Sequence, residues 1–275
     1  GYVVPKNDEY FSEFAKKDKL KTITDFDGSF GLAIILKKKN FLFVDGRYTE
    51  QAKIQAGKEF EILEIPKKLP YQILNSRLNL GFDPTVFTSR NLLYYFRNKV
   101  KLTPITKTII NSNISNHHKS KKFYSLNQTV VGETASAKIK RLIQVLKKDG
   151  SDHIFISAPE NVAWLLNIRG RDNPFSPIPN CRMILNTKGE ITFFSDIKKT
   201  SNILKEKDFL GTSFYKEYQI ENYLSKLKVK KIIIDKNSCP VLLENFIDSK
   251  FKISKIGDPL YLMKSIKNKV EISKT

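Results

Sequence analysis

Residues 31–45 read GLAIILKKKNFLFVD, and residues 182–196, which lie 151 positions further along the chain, read RMILNTKGEITFFSD. In both stretches an apolar run precedes a short polar segment, KKKN at 37–40 and NTKG at 186–189, and a second apolar run follows. Two strand-forming runs joined by a polar turn are typical of a β-hairpin. The same hairpin pattern at a long, fixed offset indicates an internal repeat.

The repeat extends to the segments on either side of these hairpins, at nearly the same offset. Apolar runs at 2–4 and 153–156 predict opening strands, and the later pairs are 60–65 with 211–215, 78–83 with 231–235, 89–97 with 241–247 and 100–105 with 251–256. The 89–97 pair has helical periodicity, whereas the others are strand-like. The pattern predicts an α/β protein of two tandem related domains, each a mixed sheet with flanking helices.

A polar segment rich in Asn, Ser and Lys at 117–131 predicts the boundary between the two domains. We therefore expect a first domain at 1–131, a second at 132–264 and the beginning of a linker at 265–275. Residues 133–148 predict an amphipathic helix that ends at Gly150. Residues 46–56 predict a helix on the first sheet, and Asp258 predicts the cap of a helix from 259 to about 270.

The chain has 275 residues and a formal net charge of +20, which raises the possibility of a nucleic-acid partner. However, its 40 Lys outnumber its 8 Arg, the residue best suited to bidentate recognition of bases and phosphates. The basic residues are also scattered, so we attribute the charge to compositional bias and do not expect nucleic-acid binding. No apolar run approaches the ~20 residues of a membrane span, so no membrane partner is expected.

The sequence contains few residues of the kinds that perform catalysis. Its three histidines are His117 and His118, in a Lys-rich segment, and His153, at a strand start, and no HExxH or CxxC motif is present. Cys181 and Cys239 are too few for a disulfide framework and are expected as packed, reduced thiols. We therefore expect neither a bound metal nor a catalytic residue within these 275 residues.

Three polar segments have the composition of tight loops. They are DFDGSFG at 25–31, VDGRY at 44–48 and NIRGRDNP at 167–174. Glycine, proline and Asp/Asn favour such turns, and rigid polar loops on a sheet scaffold often bind ligands. A purely structural turn is the alternative for each segment.

These segments give the chain a resemblance to a known family. The opening GYVVP with Glu9 and Glu13, FDGSFG at 26–31, DGRY at 45–48 and EQA at 50–52 resemble the first domain of the three-domain Xaa-Pro aminopeptidases (aminopeptidase P). The run NVAWLLNIRG at 161–170, with Asp172 and Pro174, is similar to the signature of that family's second domain. Asp258-Pro259 and IKN at 266–268 with Glu271 resemble the segment that leads into the catalytic domain. The match departs from the family at Phe30, Arg171 and residues 178–181, which leaves the contribution of the second-domain loop to substrate selection open.

The resemblance implies two creatinase/prolidase N-terminal-like domains followed by a pita-bread catalytic domain, which we expect to lie outside this chain. It implies two divalent metal ions, manganese in most members, held by that third domain, and none bound by these residues. The resemblance also implies that the full enzyme cleaves short peptides before a proline in the second position. It further implies a cytoplasmic location and a possible homodimer of the full enzyme.

The resemblance and the loop motifs together suggest a substrate-cleft rim, and we expect this chain by itself to be inactive. The candidate residues are Asp27, Gly28, Ser29, Arg47, Tyr48, Arg169, Asp172 and Asn173. Arg47 either meets a peptide carboxylate or carbonyl, or forms a structural ion pair with Asp27 or Asp45. Two other functions stay open: a catalytically inactive relative that binds an acidic protein partner, and a basic nucleic-acid-binding protein.

Overall fold

The structure, a computed structural model, describes residues 1–14, 18–107, 110, 121–206, 209 and 211–274. The chain divides into two compact units, Gly1–His117 with Pro240–Leu242, and His118–Cys239 with Leu243–Thr275. His117 and His118 lie outside the described residues. Within the described residues, no helix combines the length and apolar character that crossing a lipid bilayer requires.

The first unit is built on a six-stranded mixed sheet. Its strands are β1 (Tyr2–Pro5), β2 (Gly31–Ile35), β3 (Asn40–Asp45), β4 (Glu61–Ile65), β5 (Asn79–Phe82) and β6 (Lys101–Pro104), in the spatial order β4-β3-β2-β1-β5-β6. β1–β2 and β2–β3 are antiparallel and the other pairs are parallel. Gly31 pairs with Val44 and Ile35 with Asn40, which confirms the predicted hairpin.

Helices cover both faces of this sheet. They are α1 (Lys19–Thr24), α2 (Thr49–Ala56), α3 (Pro70–Ile73) and α4 (Ser89–Phe96), and a 3-10 turn over Gly46–Tyr48 precedes α2. Alternate strand residues point to opposite faces, so that Leu32 and Ile34 pack in the core beneath α4, whereas Ala33 packs in the core beneath α1 and α2. The predicted helix at 46–56 is confirmed, except that its first turn is 3-10.

The second unit repeats the six-stranded sheet of the first. Its strands are β7 (Tyr124–Ser125), β8 (His153–Ile156), β9 (Ile168–Arg169), β10 (Cys181–Asn186), β11 (Ile191–Ser195), β12 (Ser213–Tyr215), β13 (Lys231–Ile233) and β14 (Lys252–Ile253). The six-stranded order is β12-β11-β10-β8-β13-β14, with the same parallel and antiparallel pairs as in the first unit. This equivalence confirms two tandem α/β domains. β7 and β9 form a separate antiparallel ribbon that has no counterpart in the predicted repeat.

The helices of the second unit include those predicted at 133–148 and 241–247, and two short ones at 128–131 and 220–226 that the sequence does not predict. The helices are α5 (Gln128–Val131), α6 (Ala135–Asp149), α7 (Pro159–Leu166), α8 (Ile220–Lys226), α9 (Val241–Asp248), α10 (Leu260–Ser265) and α11 (Lys269–Ser273), with 3-10 turns at Ile197–Lys199, Ile203–Lys205 and Glu217–Gln219. α6 ends at Gly150, whose φ of +68° lies in the left-handed region, as predicted.

The single helix predicted from 259 to about 270 is wrong, because the chain forms two helices there. The Asn268 side chain accepts hydrogen bonds from the backbone N–H groups of Val270 and Glu271, and the Glu271 carboxylate accepts one from the Asn268 N–H. This capping box begins a second helix, so that α10 and α11 are separate. The Asp258 carboxylate does accept the Leu260 N–H at 2.9 Å, as predicted.

The predicted boundary between residues 131 and 132 stays a prediction. Part of the polar segment 117–131 lies outside the described residues. In the part that is described, Tyr124 and Ser125 pair with Arg169 and Ile168 of the second unit.

Candidate functional site

The first candidate loop of the first unit joins α1 to β2 and closes over a buried aromatic ring. Asp25 ends α1 in the left-handed conformation, with a φ of 60°, and Phe26 is completely buried. A Cβ atom at Gly28 would lie 2.3 Å from Cζ of Phe26. Glycine is therefore required at position 28, because the backbone passes directly over the ring.

Two glutamines on α2 hold the Asp27 carboxylate. The amide nitrogens of Gln51 and Gln55 donate to Asp27 Oδ1 at 2.7 and 2.9 Å, and Lys21 Nζ lies 3.4 Å from Oδ2. The Gln55 hydrogen bond, helped by the charge and hydrogen bond of Lys21, keeps the pKa of Asp27 below its ordinary value. Asp27 thus ties the loop to α2.

Ser29 and Tyr48 connect this loop to the turn after β3. Their hydroxyl oxygens are 2.8 Å apart, and the Tyr48 ring packs edge-on against Phe26 with centroids 6.0 Å apart. The structure therefore brings Asp27, Gly28, Ser29 and Tyr48 together on one surface of the first unit.

Arg47 forms an ion pair with Asp45 in the same turn. Arg47 Nε lies 2.9 Å from Asp45 Oδ1, and Nη2 lies 2.8 Å from Oδ2, a two-pronged arrangement. The pair keeps the pKa of Asp45 below its ordinary value and raises that of Arg47. Of the two alternatives that the sequence leaves open, the structure contains the ion pair, so the Arg47 charge is already balanced.

In the second unit, a buried lysine fixes the end of α7 and the start of the candidate loop. Lys138 Nζ donates to the Trp164 carbonyl at 2.8 Å and to Asn167 Oδ1 at 2.6 Å, and lies 4.2 Å from the Trp164 ring centroid. Burial lowers the pKa of Lys138 to about 8. The sequence does not mark this residue as functional, because it occupies a polar-looking position of α6.

Asp172 fastens the two ends of the loop at 169–180. Its Oδ2 accepts the Asn180 N–H at 2.7 Å, and its Oδ1 forms an ion pair with Lys199, both side chains being largely buried. Gly170 donates its N–H to the Pro177 carbonyl, and a Cβ atom there would lie 2.6 Å from Pro179 Cα. Asp172 is therefore turned inward and away from solvent.

Arg169 and Asn173 lie on the accessible part of the same loop. Both are partly exposed, and Arg169 Nη1 donates to the carbonyls of Ile168 and Ala163 at 2.8 and 3.4 Å. The candidates therefore form two groups, one in each unit: Asp27, Gly28, Ser29, Arg47 and Tyr48 in the first, and Arg169, Asp172 and Asn173 in the second.

A further buried polar cluster joins α7 to the start of α10. Asn161 Nδ2 donates to Asp258 Oδ2 at 2.6 Å, and Lys264 Nζ donates to Asn161 Oδ1 at 2.6 Å. Burial raises the pKa of Asp258 to about 6. The sequence marks Asn161 and Asp258 as family motif residues, but their contact across 97 positions emerges only in the fold.

The described residues do not fit a metal centre. Among them, no three His, Cys, Asp or Glu side chains converge as ligands. Both thiols, Cys181 and Cys239, are fully buried, and burial raises their pKa, which disfavours the reactive thiolate. The candidate side chains of the two groups can therefore donate and accept hydrogen bonds, anchor their loops and make electrostatic contact with a ligand.

The fold and its repeat agree with sequence comparison. Residues 115–271 and residues 3–111 each match a family described as Creatinase/Prolidase N-terminal domain. The chain belongs to the creatinase/prolidase N-terminal domain family, which it contains in tandem.

Its homologues are Xaa-Pro aminopeptidases. It is 28% identical over 300 residues to Xaa-Pro aminopeptidase 1 of Dictyostelium discoideum, covering 98% of this chain and 47% of that protein. It is 26% identical over 314 residues to Aminopeptidase P1 of Arabidopsis thaliana, covering 98% and 48%. The chain therefore spans about half the length of the curated relatives it matches.

A solved structure shares the fold of both units. The crystal structure of X-prolyl aminopeptidase from Caenorhabditis elegans, described as a cytosolic enzyme with a di-nuclear active site, matches with a TM-score of 0.82 at 22% identity. The match covers 99% of this chain and 48% of that one.

Proposed function

We propose that this chain is the N-terminal, two-domain part of a metal-dependent Xaa-Pro aminopeptidase, which removes the N-terminal residue that precedes proline in short peptides. The observation that carries the proposal is the tandem pair of family matches, at 3–111 and 115–271, in a chain that aligns over 98% of its length with an Xaa-Pro aminopeptidase. A cytoplasmic location goes with the proposal, since the similar C. elegans enzyme is described as cytosolic.

We assign the metal chemistry to residues outside this chain. The described residues offer no converging set of metal ligands, whereas the C. elegans relative is described as having a di-nuclear active site. Two divalent ions, manganese by resemblance to the family, would polarise the scissile carbonyl and supply a nucleophilic hydroxide. The present residues contribute no step of that chemistry.

In this proposal the two loop groups form part of the wall of the substrate cleft and restrict it to short peptides. In the first unit, Asp27 and Gly28 give the wall its shape, Ser29 and Tyr48 present hydroxyl groups, and Arg47 is held in place by Asp45. In the second unit, Asp172 fixes the loop internally, and Arg169 and Asn173 lie on its accessible part.

An activity assay on this chain tests the assignment of the metal chemistry to residues outside it. The 275-residue chain, supplied with Mn²⁺ and the tripeptide Ala-Pro-Gly, is expected to release no alanine above a no-enzyme control. Alanine release that is abolished by chelation would show that these residues bind and use metal, and would contradict the assignment.

A second assay separates the enzyme from a catalytically inactive relative. A polypeptide that extends this chain to the length of its relatives is expected to cleave Ala-Pro-Gly with Mn²⁺ and to spare Ala-Ala-Gly. Absence of cleavage, despite bound metal or because none binds, would favour the protein-binding alternative, in which the +20 charge attracts an acidic partner.

A further inference from the structure

Two arginines flank an exposed tyrosine on the β7–β9 ribbon of the second unit. Arg169 lies directly opposite Tyr124 in the strand register, and the guanidinium carbon of Arg171 lies 5.9 Å from the centre of the Tyr124 ring. Tyr124 is 36% exposed, Arg169 is partly exposed and Arg171 is exposed. Two cations and a phenol hydroxyl therefore share one accessible surface.

The carboxylates next to these arginines are engaged elsewhere. Asp172 follows Arg171 directly, but its two oxygens are taken by Lys199 and the Asn180 N–H. Glu133, which precedes α6, pairs with Arg141 at 2.7 Å. In the part of the chain that the structure describes, Arg169 and Arg171 consequently form no ion pair, in contrast to Arg47, Arg141 and Arg182.

Arg169 is partly desolvated without an anion to compensate its charge. Its described hydrogen bonds leave from Nη1 alone, to two backbone carbonyls, so that Nε and Nη2 have no acceptor among the described residues. Burial lowers the pKa of Arg169, and the Tyr124 phenol is the group that opposes this effect. A guanidinium that is partly buried without a counter-charge is electrostatically unfavourable, and an anionic ligand would relieve this cost.

We propose that Arg169 and Arg171, with the Tyr124 hydroxyl, bind the C-terminal carboxylate of a short peptide. The free Nε and Nη2 edge of Arg169 matches the two oxygens of a carboxylate, and Arg171 adds a second cation. The identity of the ligand rests on the proposed function, because an unmodified short peptide ends in a carboxylate. The site would favour short substrates, whose C-terminus lies within reach of the cleft wall.

Binding of matched peptides to the 275-residue chain tests this site. Calorimetry would compare Ala-Pro-Gly with its C-terminal amide, and the fluorescence of Trp164 supplies a second signal, since this sole tryptophan adjoins Ala163, whose carbonyl accepts from Arg169. The acid is expected to bind at least about tenfold more tightly than the amide, the usual scale of a charge-assisted pair. Equal affinities, or no saturable binding of the acid, would overturn the proposal.

Variants identify the residues responsible. Arg169→Lys retains the charge but not the two-pronged geometry, and it should lose most of the preference for the acid over the amide. Arg171→Ala should lose part of this preference. Arg90→Ala, an exposed arginine on α4 of the first unit, is the matched control and should change nothing. If Arg169→Lys fails to fold by circular dichroism, Arg171→Ala and the acid-against-amide comparison still decide. An unchanged preference in both variants would contradict the proposal.

Two further ligands distinguish a carboxylate site from a phosphate site and from a proline site. Inorganic phosphate that binds more tightly than the peptide acid would reassign the site to a tetrahedral anion and overturn the carboxylate proposal. Ala-Ala-Gly should bind the chain as well as Ala-Pro-Gly does, because the carboxylate and not the proline is recognised here. The two proposals can therefore fail separately. Equal binding of the acid and the amide would not affect the proline-specific cleavage by the extended polypeptide. Absence of that cleavage would not affect the preference of this chain for the acid.

Discussion

The arginine loops of the two units differ in how their charge is balanced. In the first unit, Arg47 is highly exposed and forms a two-pronged ion pair with Asp45, two residues before it. In the second unit, Arg169 is more buried, and the neighbouring Asp172 turns inward to Lys199 instead. The same duplicated fold thus carries one loop that is electrostatically complete and one that presents uncompensated positive charge to a ligand.

The buried Asp172–Lys199 ion pair is the contact on which the second loop depends most. Asp172→Ala would leave Lys199 buried without its partner and is expected to lower the free energy of unfolding by about 3–5 kcal/mol. Urea unfolding followed by Trp164 fluorescence measures this effect within the second unit. The more accessible Arg141–Glu133 pair supplies the control, since Glu133→Gln should cost less than about 1 kcal/mol. Similar losses for both variants would show that Asp172 is not the buried anchor.

Lys138 holds the start of the same loop, and its removal should have the next largest effect on the free energy of unfolding. Lys138→Met leaves the Trp164 carbonyl and Asn167 Oδ1 without their donor and is expected to cost about 2 kcal/mol at neutral pH. Lys140→Met, at an exposed position of the same helix, is the matched control and should be nearly neutral. A stability unchanged in Lys138→Met would show that water replaces the lysine without loss.

Lys138 also predicts a pH dependence with a definite sign. Its pKa is lowered to about 8 in the folded protein from 10.5, so between these pH values the unfolded chain binds more protons than the native one. The stability of the native protein relative to Lys138→Met should therefore rise by about 1 kcal/mol per pH unit between pH 8 and 10.5. The corresponding difference from Lys140→Met should stay flat. A falling difference across this window would contradict the lowered pKa.

The smallest effect is expected at Arg47, because Asp45 already satisfies it. In the extended polypeptide, Arg47→Ala should change kcat/KM by less than about threefold, on short and long peptides alike. Steady-state rates on peptides of increasing length provide the measurement. A tenfold or length-dependent loss would show that Arg47 leaves Asp45 to contact the substrate, and would remove the contrast between the two loops.

The architecture could be predicted from the sequence because it depends on local pattern. The paired hairpins at 31–45 and 182–196 specify the central strand pairing of both sheets, and Gly150 marks the end of α6. The break between α10 and α11 was also open to prediction, because Asn268 and Glu271 have the spacing of a capping box.

The contacts that organise the candidate site were not predictable in this way. Asp172 and Lys199 are 27 positions apart, and Lys138 and Asn167 are 29 apart, so their pairing depends on how separate elements pack. The ion-pair partner of Arg47 was not predictable either. The sequence leaves Asp27 and Asp45 as alternative partners. In the structure Arg47 pairs with Asp45, whereas Asp27 accepts hydrogen bonds from Gln51 and Gln55 of α2.

The central claim, that these two domains serve an Xaa-Pro aminopeptidase, is tested most directly by one comparison of rates. The measurement is kcat/KM for alanine release from Ala-Pro-Gly and from Ala-Ala-Gly, with Mn²⁺, by a polypeptide that extends this chain to the length of its relatives. We predict cleavage of the proline peptide at least about a hundredfold faster than the alanine peptide, a difference of about 3 kcal/mol in transition-state stabilisation. Equal rates on the two peptides, or no release from either, would contradict the claim.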